Sequence, residues 1–470
     1  MELESRNFKR LYKRQINNQT LRANLSKATL QAVGNRAESF REIDFEFLRE
    51  RAKQVKQEAI SNLNGYLSQY QDAAQRNGCK FFFAQSAETA RAYVLGLALK
   101  HNVRTIVKSK SMVTEEIEVV PFLTRHGIET IETDLGEYIV QLAGEKPSHI
   151  TTPAIHKSRD EIAALFHDKL GSAVNSDPKF LTAEARRVLR EKFLSADMGI
   201  SGANFLVAET GDAVIVENEG NARLSTSAVR LHVIVTGIEK VIPKFSDLRV
   251  FMRLLARSST GQKLTSYISI IRGPRRESEK DGPEEVHVVL VDNGRSSLLG
   301  TEYQEVLHCI RCGACLNVCP VYRNIGGHAY GSVYPGPIGS LVTPLYFGEK
   351  DSPDLPFASS LCGNCTEVCP VGIEIHHHLL SLRRDIVNIN HSKRERFLFK
   401  SYRKAVLRPG RYELFGSVAR VLSKFGLLNS VMKGWTTTRE LPVFPKQSFR
   451  EIYRSDKEFL NLPAGRRAHY

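Results

Sequence analysis

The sequence predicts an α/β domain built on a largely parallel sheet, followed by a small α-helical cysteine-rich metal module, with helical segments at both ends. Three observations carry this expectation. From Cys79 onward, short apolar runs alternate with amphipathic stretches, the pattern of strands and helices in one α/β layer. Seven of the eight cysteines fall in two proline-ended runs between Cys309 and Pro370, a spacing that belongs to metal ligation. Apolar residues recur mostly three or four apart from Phe45 to Leu67, which makes one face of a helix.

Composition sets the frame. At 470 residues, 42% apolar and 25% charged, the chain has ordinary globular character and length for about three domains. It contains no apolar run of about eighteen residues, the length a membrane span needs. The start at Met1 is rich in Arg and Lys without an apolar core, which argues against secretion and makes the cytoplasm the expected location. The net charge of +15 is uneven, because residues 391–470 hold 18 Lys and Arg against 6 Asp and Glu. Such a tail suits an acidic partner, an anionic membrane face or nucleic acid, and equally a solvated surface, so charge alone selects no function.

Residues 1–75 read as a helical arm against the next domain. Phe45, Phe47, Leu48, Ala52, Val55, Ala59, Leu63 and Leu67 form its stripe. Asn77 and Gly78 end it, and residues 76–300 read as the α/β domain. Cys79–Ala84 and Arg104–Val107 are strands, each followed by a helix, through Ala98 and over Ser111–Val119. Cys79 is expected to pack as a small core hydrophobe. The loop Lys108–Ser111 leaves a strand and enters a helix, a position where anions bind, although a capped helix start accounts for it as well. Asp134, Glu137, His149 and His156 are polar candidates for a cleft, with satisfied surface positions as the plainer expectation. Phe205–Ala208 and Ala213–Val216 make a hairpin about Thr210, Gly211 and Asp212; Asn218–Arg223 is a second glycine turn. Val233–Val235 and Val286–Val291 are further strands, with Phe251–Ala256 in a helix and Arg272–Pro283 as a loop.

Residues 301–390 hold the metal module. Cys309, Cys312, Cys315 and Cys319, followed by Pro320, have the spacing C-x2-C-x2-C-x3-C-P, in which three thiolates hold one [4Fe–4S] cluster and the fourth reaches a neighbouring one. Cys362, Cys365 and Cys369, followed by Pro370, repeat it fifty residues on, with Ser359 where a fourth cysteine would stand. Crossed ligation then assigns Cys309, Cys312, Cys315 and Cys369 to cluster one, and Cys319, Cys362 and Cys365 to cluster two. The second cluster, with three cysteines, is either [4Fe–4S] with another ligand or [3Fe–4S]. Structural zinc wants ligands in fours, which seven cysteines fit poorly, and disulfides do not suit this spacing or compartment. The glycines from Gly326 to Gly339 allow close backbone approach to a cluster. His376, His377 and His378 cannot share one helix face and are expected as surface residues. Residues 391–470 form the basic C-terminal region.

IVKSKSMVTEEI (106–117), ETDLGEYI (132–139), NEGNAR (218–223), GPEEVHVVLVDNGRSSLLGTE (282–302) and the two cysteine runs, in this order, resemble the lactate utilization protein B family over nearly the whole length. Trp435, Phe444, Pro445, Phe449 and Arg450 resemble its C-terminal region. The resemblance implies a lactate-utilisation (LUD) domain of the NagB/RpiA/CoA-transferase-like fold joined to a ferredoxin-type two-cluster domain. It implies the same seven cysteine ligands, with a three-cysteine second site as a family trait. It also implies work with two partner proteins, one bearing repeated cysteine-rich motifs and one a second LUD-domain subunit, in oxidising L-lactate to pyruvate.

The expected function is therefore electron transfer in L-lactate oxidation. No G-x-G-x-x-G follows a strand, which places hydride chemistry and the chemical step on a partner. Two alternatives are an α/β domain that itself binds a hydroxy acid or phosphate through Lys108–Ser111 with Arg223 or Arg295 as clamps, and a cluster-bearing regulator that binds nucleic acid. Nucleic acid is the less favoured partner. A peripheral membrane contact is left open, and the interleaved Trp435, Phe444, Phe449 and Tyr453 mark the tail as a docking surface.

Overall fold

The computed structural model describes residues 4–389, 393–424 and 445–455, and they divide into two compact units, Met1–Ile386 and Val387–Tyr470. The first unit opens with helices Phe8–Gln15, Gln19–Ser39, Phe45–Ser61 and Leu63–Arg76. Asp44 starts the third, its carboxylate accepting from the Phe47 amide at 2.9 Å, which satisfies one N–H that a helix start leaves open. Leu48, Ala52, Val55, Ala59 and Ile60 face inward as the periodicity predicts. Phe47 does not: it is 68% exposed, because a position two residues from Phe45 faces away from the stripe. These helices are more than an arm. They share one core with the cysteine module, and Arg49 donates to the Thr366 carbonyl at 3.0 Å.

Ten strands follow: β1 (Lys80–Ala84), β2 (Thr105–Lys108), β3 (Glu129–Glu132), β4 (Met198–Ser201), β5 (Phe205–Val207), β6 (Asp212–Glu217), β7 (Leu231–Gly237), β8 (Val241–Ile242), β9 (Tyr267–Ile271) and β10 (Glu285–Val291). Six form a parallel sheet in the order β1-β10-β7-β4-β2-β3. Its centre is buried on both faces, so β7 and β10 read as near-continuous apolar runs. The second sheet, β8-β5-β6-β9, carries the predicted hairpin as β5 and β6. Gly211 turns it at φ +72, where a Cβ would sit 2.4 Å from the Ala74 amide.

Strands β3, β4, β8 and β9 lie where the sequence reading has none. In β3 charged residues flank Thr130 and Ile131, yet Thr130, Ile131 and Glu132 are buried. β4 is Met-Gly-Ile-Ser, with a single β-branched residue, and a Cβ on Gly199 would meet the Ser225 carbonyl at 1.8 Å, so the packing itself demands the glycine. Helices Arg159–Leu170 and Pro178–Ser195 lie between β3 and β4. Among the described residues no helix is long and apolar enough to cross a membrane.

The second unit has helices Lys393–Val406, Pro409–Lys424 and Phe449–Ser455. Arg450 pairs with Glu413 at 3.2 Å. Phe397, Phe399, Tyr402, Phe415 and Phe449 are exposed on it. Trp435 and Phe444 lie outside the described residues.

Candidate metal centre

Each cysteine run folds as a loop, one short helical turn and a proline. In the first, Gly313 at φ +77 starts the turn Ala314–Asn317, and Pro320 opens helix Pro320–Ile325. In the second, Gly363 at φ +84 starts Asn364–Glu367. Positive φ costs a glycine little, which is why this residue stands at the tight entry of both.

The fold brings the seven cysteines together in two groups. Cys309, Cys312, Cys315 and Cys369 line one small cavity of about 20 Å³. Cys319, Cys362 and Cys365 form the other group, close enough that Cys362 opposes ionisation of both Cys319 and Cys365. The groups adjoin, since Cys365 also acts on Cys315. All but Cys309 and Cys362 are buried. Backbone amides aim at the sulfurs: Arg311 at Cys309 (3.4 Å), Tyr322 at Cys319 (3.4 Å) and Ile373 at Cys369 (3.3 Å).

This donor set fits an iron–sulfur cluster better than zinc. Tetrahedral zinc about 2.3 Å from each sulfur holds its sulfurs roughly 3.8 Å apart. Among the described residues, the only groups of three potential ligands within 4.8 Å of one another contain no cysteine. Burial pushes the Cys312 and Cys365 thiols up to about 12 and Cys369 to about 11, so these thiolates need positive charge close by, which iron supplies. A bound cluster would supply one-electron transfer. The chain contributes sequestration from water and amide donors, which raise a cluster's potential.

A buried charge network ties the first group to the α/β domain. Arg295, fully buried, donates to both Glu116 oxygens (2.8 and 2.6 Å) and to Glu239 at 2.7 Å, and Tyr334 Oη donates to Glu116 at 2.5 Å. Burial opposes ionisation of Glu239, but Arg295, with Lys240 and Arg311 beyond it, outweighs burial and holds the carboxyl at about 2. Arg311, inside the first cysteine run, stacks over Tyr334 at 4.6 Å and lies 3.8 Å from Glu239. Lys56 donates to the Glu239 carbonyl at 2.5 Å; burial, then Lys240, lowers it to about 7.

A cavity of about 300 Å³ opens between the carboxyl ends of the parallel strands and the first cysteine loop, lined by Ser109, Lys110, Gly202, Thr236, Lys240 and Arg311 among others. Carboxyl ends of strands are where open α/β sheets bind ligands. Lys240 makes no hydrogen bond or ion pair among the described residues, and burial lowers it to about 8. The sequence reading missed Lys56, Lys240 and Arg311. The position of Arg311 between two cysteines is the one local signal that could have found it.

Other candidates need correction. Lys108 is not in the loop: it ends β2, fully buried between Glu132 (2.8 Å) and Glu115 (3.0 Å). Ser111 caps the next short helix, while Ser109, Lys110 and Ser111 do line the cavity. Neither proposed clamp borders it: Arg223 is exposed over Tyr267, and Arg295 is committed to Glu116 and Glu239. Asp134, Glu137, His149 and His156 do not converge. Asp134 caps helix Leu135–Leu142, Glu137 is buried near Lys108, His149 is buried and accepts the Thr151 and Thr152 amides, and His156 bonds Ser148 and Glu145. Gly327, Gly331 and Gly339 meet other backbone instead, a Cβ on Gly327 lying 1.8 Å from the Ser148 carbonyl and one on Gly339 1.8 Å from that of Tyr334, while Gly326 and Gly336 face leucine side chains. His376, His377 and His378 bond Thr366, Glu374 and Glu305 separately. Cys79 is a core residue, its thiol donating to the Arg272 carbonyl at 3.4 Å.

Comparison with known proteins agrees with this architecture. Residues 67–291 match the LUD domain family, residues 305–373 the 4Fe-4S dicluster domain, and residues 384–458 the lactate utilisation protein B C-terminal family. Lactate utilization protein B of Bacillus pumilus is 44% identical over 466 residues, covering 97% of this chain and 98% of the relative. That of Geobacillus thermodenitrificans is 46% identical over 414 residues, covering 86% and 87%. A solved DUF162 family protein from Deinococcus radiodurans aligns with 49% of this chain and 98% of its own at 14% identity and a TM-score of 0.29. With 44% identity to the Bacillus pumilus protein over nearly the whole of both chains, the chain belongs to the lactate utilization protein B family.

Proposed function

We propose that this chain is the iron–sulfur electron-transfer subunit of a system that oxidises L-lactate to pyruvate, supporting growth on L-lactate. The observation that carries the reading is the gathering of seven cysteines into two adjoining groups, all but Cys362 in or against a core shared with an α/β domain. The relatives' name, lactate utilization protein B, supplies the substrate. Cys309, Cys312, Cys315 and Cys369 hold a first [4Fe–4S] cluster, and Cys319, Cys362 and Cys365 hold a second, as [4Fe–4S] or [3Fe–4S]. Lactate yields two electrons and each cluster takes one, so adjoining clusters suit passing them singly. The chain acts in the cytoplasm with a cysteine-rich-motif subunit and a second LUD-domain subunit. Its own parts are a helical segment 1–75, an α/β domain 76–300 of NagB/RpiA/CoA-transferase-like type, a cluster domain 301–390 and a basic region 391–470. A strain lacking the gene should lose growth on L-lactate and keep growth on pyruvate; normal growth on lactate without another lactate dehydrogenase would overturn the reading.

The cavity favours a second reading, in which the α/β domain binds a small acid beside the first cluster through Lys240 and Arg311. Calorimetry with L-lactate and pyruvate tests it: saturable binding weakened tenfold or more by Lys240→Met and kept by Lys240→Arg supports it, and no binding to the intact protein rejects it.

A further inference from the structure

The two cysteine loops, fifty residues apart, share backbone conformation and hydrogen bonds, and the correspondence extends to the position where the second lacks a cysteine. Arg311 and Leu361 both adopt left-handed backbone, at φ 60 and 56, a conformation a residue other than glycine rarely takes without being held there. The amides of Leu316 and Thr366 donate to Gly313 and Gly363 at 3.0 and 2.9 Å, and those of Cys319 and Cys369 donate to Leu316 and Thr366 at 3.2 Å each. At the head of the first loop the Arg311 amide donates to Cys309 Sγ at 3.4 Å. At the head of the second the Leu361 amide donates to Ser359 Oγ at 3.1 Å. Residue, loop conformation and amide contact correspond one to one, with oxygen standing where the first loop has sulfur.

The second loop is also held in place. Arg383 donates to the carbonyls of Pro356 and Ser359, at 2.8 Å each, and packs over Phe357 at 5.2 Å. Ser359 is half-buried, whereas its neighbour Ser360 is exposed. An ordinary turn serine needs neither the anchored carbonyl nor the strained residue two places on.

We propose that Ser359 Oγ is the fourth protein ligand of the second cluster, completing a [4Fe–4S] site with Cys319, Cys362 and Cys365. The Oγ–Fe bond forms as the hydroxyl proton leaves to water, with no change of oxidation state. An alkoxide is a harder ligand than a thiolate, so the two clusters differ in donor set although their loops share one geometry. The inference rests on the two-cluster reading above.

The test uses the full chain purified anaerobically, with iron analysis, EPR and Mössbauer spectroscopy. The intact protein should hold about eight irons. Ser359→Ala should lose about one iron per chain and convert the second cluster to a three-iron form with its own EPR signal in the oxidised state. Ser359→Cys should keep all the iron and shift the second cluster's signal alone, which covers the case in which the alanine variant does not fold. Ser360→Ala should match the intact protein. Two clusters in the intact protein with identical iron and spectra in Ser359→Ala would overturn the proposal and leave the two-cluster reading standing. Absence of iron–sulfur signals from the intact protein would overturn both.

Discussion

Replacing Arg295 by Met tests whether the buried charge network joins the α/β domain to the cysteine module. The side chain is fully buried, and its guanidinium contacts Glu116 through two bonds, Glu239 and the Asp292 carbonyl at 3.0 Å. Methionine fills much of the volume but leaves two buried carboxylates without their cation. Breaking a buried pair in this way costs about 3–5 kcal/mol, a large share of the roughly 5–15 kcal/mol that holds a native protein together. For a unit of this size that corresponds to a fall in melting temperature of roughly 5 °C. Anaerobic thermal unfolding followed by circular dichroism reads it, and Arg295→Lys should recover part of the loss because it keeps charge without the planar fork. The pH dependence has a definite sign. The folded Glu239 carboxyl sits at about 2 against an ordinary 4.5, so its stabilisation is complete above 4.5 and is lost as pH falls towards 2. A loss under about 1 kcal/mol, the worth of an exposed ion pair, would refute the reasoning.

Crossed ligation predicts that Cys369→Ser damages the cluster of the first run and Cys319→Ser that of the second, each altering one EPR signal; Cys369→Ser and Cys362→Ser erasing the same signal while the first cluster stays whole would sink it. Cys79→Ser should leave iron content and EPR unchanged and cost no more than about 1 kcal/mol, because a hydroxyl can still donate to the Arg272 carbonyl; thermal unfolding with iron analysis checks both. Deleting residues 435–470 should leave the clusters intact and weaken co-purification with the partner subunits, and undiminished co-purification would count against a docking role for the tail.

What the sequence by itself determined is whatever rests on local chemistry. The central strands are legible because burial on both faces demands apolar runs, as in Val286–Val291, and the cysteine loops because ligand spacing is a property of a few consecutive residues. The hairpin at Gly211 and the inward stripe of Phe45–Ser61 follow the same logic. Only the tertiary structure decided the rest. Strands β3 and β4 hold their places through neighbours rather than propensity, with Gly199 made necessary by a carbonyl from a distant helix. Arg295 looks in sequence like a clamp for a ligand and is instead consumed by Glu116 and Glu239, from segments 179 and 56 residues away. Lys56, Lys240 and Arg311 lie far apart along the chain and carry no shared pattern, yet folding brings them around the first cysteine group. Long-range electrostatics of this kind depends on which surfaces close on one another, and no local run of residues encodes that.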